Sequence, residues 1–212
     1  MTEKMRMPID RRRALGGLAA LTGGALLLGK PAMAAKPVGL RQPPLLGKST
    51  APRRLLLWGS LTCPFTAMLF GALKQIQVDM ADRVSLEWRH FPTHKPDPGL
   101  HVAAMTFSGE RFWTFAGSVL KFIYAANGEF SGLTEDKIFE LAKAAGGTRA
   151  QVEASWRDQA KWAAVRRDLM TGRLLGITKT PGLFYNGYFL TPDGIPTDLA
   201  AFNRSLRTML ST

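Results

Sequence analysis

The chain has 212 residues, with 28 Lys and Arg against 16 Asp and Glu, 46% apolar residues and one cysteine. That length is enough for one domain with a real core, and a lone thiol excludes any internal disulfide. The basic residues stand singly or in pairs, which suits a solvated surface with a weak bias towards acidic partners or an anionic membrane, and speaks against nucleic-acid binding.

In chain order, the first stretch reads as an export signal. Residues 1–13 form a charged region that ends in Arg11, Arg12 and Arg13, and an uncharged apolar run covers Ala14–Gly29. Ala32-Met33-Ala34 then supplies a small-x-small cleavage pattern, so residues 1–34 are expected to be removed and the mature chain to begin near Ala35. The run is short for a membrane span of about 20 residues, although an uncleaved anchor is the alternative. The paired arginines resemble a twin-arginine signal, but "ALG" degrades the apolar part of that pattern and leaves the ordinary secretory route open. Either route points to an exported protein, in the bacterial periplasm, with no stable membrane insertion after cleavage.

Residues 35–52 are proline-rich and aperiodic, and are expected to form an extended arm. Leu55–Trp58 is a short apolar run suited to a strand buried on both faces. From Thr66 the apolar residues Met68, Leu69, Ala72, Leu73, Ile76 and Met80 recur at helical spacing, and Val84–Phe91 then alternates as a strand does. Strand, helix and strand in this order predict a βαβ unit.

Pro92–Gly99 reads as a loop. Helices are expected over His101–Ala126, with Gly109 and Gly117 as candidate breaks, from the N-cap candidate Thr134 onward, and from Thr148 to about Gly176. Lys179–Leu190 predicts a hairpin turning at Asn186-Gly187, with Tyr185 and Tyr188 on the sheet. A last amphipathic helix places Leu199, Phe202, Leu206, Met209 and Leu210 on one face. The fold class is α/β: residues 53–98 and 175–212 build a sheet domain, and residues 99–174 form a helical insertion between its halves.

Cys63 falls between the first strand and the first helix. Reactive groups in open α/β sheets lie beyond the carboxyl ends of strands. The unpaired N–H groups and partial positive charge of a helix N-terminus stabilise a thiolate over a thiol. Pro64 suits the first helical turn, where its missing N–H costs nothing. A buried inert residue and an intermolecular bridge are the competing readings of a lone cysteine.

Cys63-Pro64-Phe65-Thr66 after a strand, "RHFP" closing the next strand, a helical insertion and then "GITKTPGLFYNG" together resemble the exported DsbA-like thioredoxin-fold proteins. The resemblance covers about residues 53–210. It implies that Cys63 is the nucleophile, and that Pro181 is a cis proline facing it. It further implies that Thr180 offers backbone groups to an extended substrate peptide, with Pro64 and Phe65 alongside. The departure is Thr66, which stands where the family's dithiol pattern has its second cysteine. Cys63 is thereby limited to a monothiol cycle, forming mixed disulfides with exported proteins that carry disulfides or thiols, resolved by a substrate thiol or by glutathione or another thiol reductant. Thr66, one turn along, is the second catalytic candidate through a hydrogen bond to the sulfur. The alternative is a redox-inactive module that binds a peptide or partner protein in the groove around Pro181.

No cofactor or metal is expected. His90 and His94 stand four apart but straddle a strand end, and no ligand set completes them. At helical spacing, the aromatics between Gly99 and Gly128 read as core before they read as a groove for unfolded polypeptide.

Overall fold

The computed structural model describes residues 42–212. The expected export signal and residues 35–41 of the arm lie outside the described residues. The elements are β1 (Leu45–Leu46), β2 (Arg53–Gly59), α1 (Pro64–Asp79), β3 (Val84–His90), α2 (Asp97–Ala104) and α3 (Glu110–Ala125). They continue with α4 (Glu135–Ala144), α5 (Arg149–Arg157), α6 (Gln159–Leu174), β4 (Gly182–Tyr185), β5 (Tyr188–Phe189) and α7 (Leu199–Ser211).

The strands form one sheet in the order β1-β3-β2-β4-β5, with β2 and β3 parallel and the other pairs antiparallel. This is a thioredoxin-like arrangement, with α2–α6 inserted between β3 and β4. Alternation along β2 explains why the sheet is covered on both faces. Leu55 and Leu57 join Leu73, Ile76, Trp88, Phe112, Phe115, Leu206 and Leu210 in the main core. Trp58 turns to the other face, where it packs with Phe91, Ile177, Phe184 and Leu169 of α6. Each fully buried Leu or Ile side chain contributes about 1.5–3 kcal/mol of transfer free energy.

Local chemistry fixes the helix ends. Thr134 accepts from Lys137 N to cap α4, and Thr148 forms a capping box with Gln151 at the start of α5. Asp158 ends α5 and caps α6 by accepting from Ala160 N, which divides the long basic stretch after Thr148 into two helices. Asn186 and Gly187, both at positive φ, make the hairpin turn.

Several expectations are corrected. The proline-rich arm is not wholly aperiodic: Leu45 and Leu46 pair with Glu87 and Leu86 as an edge strand. The loop after β3 is shorter than its composition suggests, because α2 already begins at Asp97, where Pro96, Pro98 and an acidic first turn favour a helix start. Gly109, at φ 54, divides the aromatic helices, whereas Gly117 lies inside α3 facing Phe70. Met68 and Met209 are exposed, since each sits to the side of the buried stripe of its helix. Tyr185 is buried on the sheet, but Tyr188 is 74% exposed on the edge strand. Among the described residues no helix is long and apolar enough to cross a membrane.

Candidate functional site

The strand register brings the site together. Trp58 pairs with Arg89 and Gly59 with His90 at the carboxyl ends of the parallel strands, while Trp58 also pairs with Gly182 at the start of β4. Chain leaving β2 and chain entering β4 therefore meet at one edge. Cys63 is the N-cap of α1, with extended backbone and Pro64 in the first turn, and no side chain caps the helix. The Thr180–Pro181 peptide is cis. The Cys63 thiol donates to the Thr180 carbonyl at 3.4 Å, 117 residues away in sequence.

The site residues expected from sequence occupy one neighbourhood but differ in accessibility. Cys63 is only 7% exposed, and Thr66, Thr180 and Pro181 are buried. Pro64 is half-buried, while Phe65 is 52% exposed and Met68 is exposed beside it, so an apolar rim flanks the sulfur. Thr66 is fully buried and its hydroxyl has no hydrogen-bond partner, so the bond to the Cys63 sulfur allowed by one-turn spacing is not formed in this state. Gly59 makes room for this arrangement: a Cβ there would stand 2.8 Å from Trp88 Cζ3 and 2.9 Å from Thr66 Cγ2.

Behind Cys63 lies a polar network that the motifs did not reveal. Asp97, fully buried in the first turn of α2, accepts the N–H of Leu61 at 3.0 Å through Oδ1 and that of Thr93 at 2.9 Å through Oδ2. His101 Nε2 lies 3.3 Å from Asp97 Oδ1, and its Nδ1 is 2.8 Å from His90 Nδ1. Burial opposes the charge on Asp97, but attraction to the His101 ring and bonds from His101, Ser60 and Thr93 outweigh it and hold the carboxyl below its ordinary value. Thr62 Oγ1 lies 3.2 Å from Ser60 Oγ and 2.8 Å from His94 Nδ1, while Thr93 donates to Ser60 at 2.9 Å. The three residues before Cys63 are thus each held by a polar side chain.

The histidine pairing differs from the one its spacing suggested. His90 meets His101 and not His94, which stacks on Phe130 with ring centroids 5.3 Å apart. Among the described residues no group of three or more His, Cys, Asp or Glu is placed to hold a metal ion. On the opposite flank, Thr191 Oγ1 donates to the Pro181 carbonyl at 2.8 Å and accepts Leu183 N at 2.9 Å, which braces the Pro181 loop. Asp168 of α6 accepts the His90 N–H at 3.0 Å, and burial raises its carboxyl above the ordinary value against the pull of that bond and of Arg89. A carboxylate that reaches the Leu61 N–H from 36 residues away leaves no linear signal. Asp97 stood between two prolines and passed for part of a loop.

The geometry has close counterparts. A comparison of the sequence with curated proteins finds no match. The fold is similar to that of BdbD from Bacillus subtilis, with 18% identity, 80% of this chain and 94% of that chain covered, and a TM-score of 0.66. It is similar to a protein-disulfide isomerase from Novosphingobium aromaticivorans, with 18% identity, 80% and 97% covered, and a TM-score of 0.65. It is also similar to alpha-DsbA1 of Wolbachia pipientis, with 18% identity, 81% and 92% covered, and a TM-score of 0.63. The family model described as Thioredoxin matches residues 40–202, a span that includes Cys63, the whole sheet and the cis proline. By that match the chain belongs to the thioredoxin family, and its fold, with helices inserted between β3 and β4, is similar to that of alpha-DsbA1.

Proposed function

We propose that the chain is an exported monothiol thiol–disulfide oxidoreductase or isomerase with Cys63 as its nucleophile. The observation that carries this reading is the single thiol at the N-cap of α1, 3.4 Å from the Thr180 carbonyl. After loss of its proton, the Cys63 sulfur attacks one sulfur of a protein disulfide. The substrate S–S bond breaks, a Cys63–substrate disulfide forms, and the departing sulfur takes up a proton. Attack by a second substrate thiol returns Cys63 with no net change in oxidation state, which is isomerisation. Attack by glutathione on the Cys63 sulfur instead releases the substrate thiol and leaves a Cys63–glutathione disulfide; a second glutathione attacks its glutathione sulfur, freeing the Cys63 thiol and forming glutathione disulfide. One substrate disulfide is thereby reduced and two thiols oxidised.

In this cycle Thr180 offers its backbone to an extended peptide, and Pro64, Phe65 and Pro181 form the apolar surround. Thr66, with a buried hydroxyl and no partner, supplies a hydrogen bond to the ionised sulfur. The test is incubation of the chain with a scrambled disulfide protein, followed by acid quenching and mass analysis. A mixed disulfide through Cys63 that thiols reverse and Cys63→Ser abolishes is the expected result. A folded chain whose Cys63 resists alkylation and forms no mixed disulfide overturns it.

The burial of the thiol favours one second reading, a redox-inactive module that holds a partner peptide around Pro181. In that case Cys63→Ser leaves partner binding unchanged.

A further inference from the structure

Between Gln159 and Thr191 the sequence holds Lys161, Arg166, Arg167, Arg173 and Lys179, and its one acid is Asp168. The structure turns that acid inward, onto Arg89 and the His90 N–H. Lys161 bonds the Ser155 hydroxyl. Arg166, Arg167, Arg173 and Lys179 are exposed and have no acidic partner among the described residues. The outer face of α6 is therefore uniformly cationic.

Apolar side chains protrude from the same face. Met170 is 63% exposed, Leu174 87% and Leu175 47%. Met170 stands four residues after Arg166, and Arg173 and Leu174 stand three and four after Met170, so cations and aliphatics form one stripe. The helix cannot roll to hide it. A Cβ on Gly172 would lie 2.8 Å from both Phe91 and Trp58, and Val165 and Leu169 are packed on the inner side. Six residues beyond Leu174 the chain reaches Thr180, whose carbonyl meets Cys63.

We propose that this face, Arg166 to Lys179, rests on an anionic lipid surface and holds the Cys63 edge against it. The charge sets the sign of the partner. Residues 1–41 carry Lys4, Arg6, Arg11, Arg12, Arg13, Lys30, Lys36 and Arg41 against Glu3 and Asp10, so the chain's own N-terminus cannot neutralise the stripe. A second copy meets the same repulsion. The shape favours lipid over protein. The aliphatics are exposed at the C-terminal end of α6, and flexible Met and Leu among arginines suit the headgroup boundary better than the aromatic anchors of a protein interface. This surface acts independently of the thiol chemistry.

The test measures co-sedimentation with vesicles of phosphatidylcholine alone and with phosphatidylglycerol added. It uses the chain from Ala35, because every element and core cluster described lies between Leu45 and Ser211 and because the apolar Ala14–Gly29 run would bind vesicles by itself. The expected result is retention on phosphatidylglycerol vesicles about tenfold or more above phosphatidylcholine, abolished by high salt. Arg173→Glu lowers retention by about tenfold, and Lys143→Glu on α4, with the same change in net charge, by less than about twofold. Leu174→Ser lowers it severalfold, and Cys63→Ser leaves it unchanged. Equal losses for Arg173→Glu and Lys143→Glu overturn the proposal in favour of diffuse attraction. Full retention by Leu174→Ser overturns it as well, as does competition by an acidic polypeptide that displaces the chain from the vesicles, which would assign the face to a protein partner.

Discussion

Asp97 Oδ1 accepts the backbone N–H of Leu61 at 3.0 Å, so a carboxylate from the first turn of α2 fixes the chain two residues before Cys63. Its other oxygen holds Thr93 in the loop after β3. One buried side chain thus ties the end of β2, the end of β3 and the insertion to a single geometry.

Removing that carboxylate is expected to be costly. Asp97→Ala leaves the buried Leu61 N–H and the part-buried Thr93 N–H without their acceptor and removes the carboxylate beside the His101 ring, and should destabilise the fold by about 3–5 kcal/mol. Asp97→Asn keeps one acceptor and should cost about 1–3 kcal/mol. The sign of the pH dependence follows from the lowered carboxyl of Asp97. Its contribution is complete above the ordinary value of 3.8 and is lost as pH falls through the lower folded-state value. Urea unfolding of wild type and Asp97→Asn should therefore show a constant gap near neutral pH that closes only in strong acid. A gap that already closes near pH 6 would count against this carboxylate as its source.

Asp168 carries the opposite sign. Its carboxyl is raised by burial, so the stability it lends is present at low pH and is lost as pH rises through that raised value. Asp168→Asn retains an acceptor for the His90 N–H. Relative to wild type, its stability should improve from acid to neutral pH. Paired unfolding curves measure the difference, and a gap that is flat with pH, or that widens against Asn, contradicts the assignment.

Gly59 and Gly172 are expected to reject even a methyl group. At Gly59 the added carbon would enter the Trp88 ring and Thr66, and at Gly172 the rings of Phe91 and Trp58, none of which is a flexible side-chain end. Each Gly→Ala change should cost about 1–3 kcal/mol and lower Tm by roughly 2–4 °C per kcal/mol. Gly71, with open space around its Cβ position, is the control in α1 and should gain slightly. Thermal unfolding of the three variants is the check.

Thr66 separates stability from reactivity. Its hydroxyl is buried with no partner, so Thr66→Val should stabilise the chain by about 1 kcal/mol. If that hydroxyl serves the ionised sulfur, the same variant should form mixed disulfides more slowly. Thr66→Cys restores a dithiol one turn apart and should close an internal disulfide on oxidation, seen as loss of both free thiols without dimer formation. A Thr66→Val variant as reactive as wild type would leave Thr66 a packing residue only.

The sequence carried the fold well where period and punctuation agree. The apolar run Leu55–Trp58, the Thr134 and Thr148 caps and the Asn186-Gly187 turn each name their element locally. It misled where context overrides composition. Leu45 and Leu46 form a strand only because β3 offers an edge, and Asp97 starts a helix inside what reads as a proline loop. The placement of Cys63 and Pro64 at the start of α1 and the cis bond before Pro181 were legible, since their motif order is linear. The Asp97–His101–His90 chain was not, because its members come from different elements and meet only after the insertion has folded back on the sheet.

The turn between α3 and α4 meets Pro64, next to Cys63, and His94, which bonds Thr62 on its other side. A Cβ at Gly128 would lie 3.1 Å from the Pro64 ring, and Phe130 stacks on His94. Neither residue belongs to the sheet or to the network behind it. Altering residues 127–131, ahead of the Leu133 core position and the Thr134 cap of α4, would therefore change what surrounds the Cys63 sulfur while leaving the Asp97 carboxylate and its bonds in place.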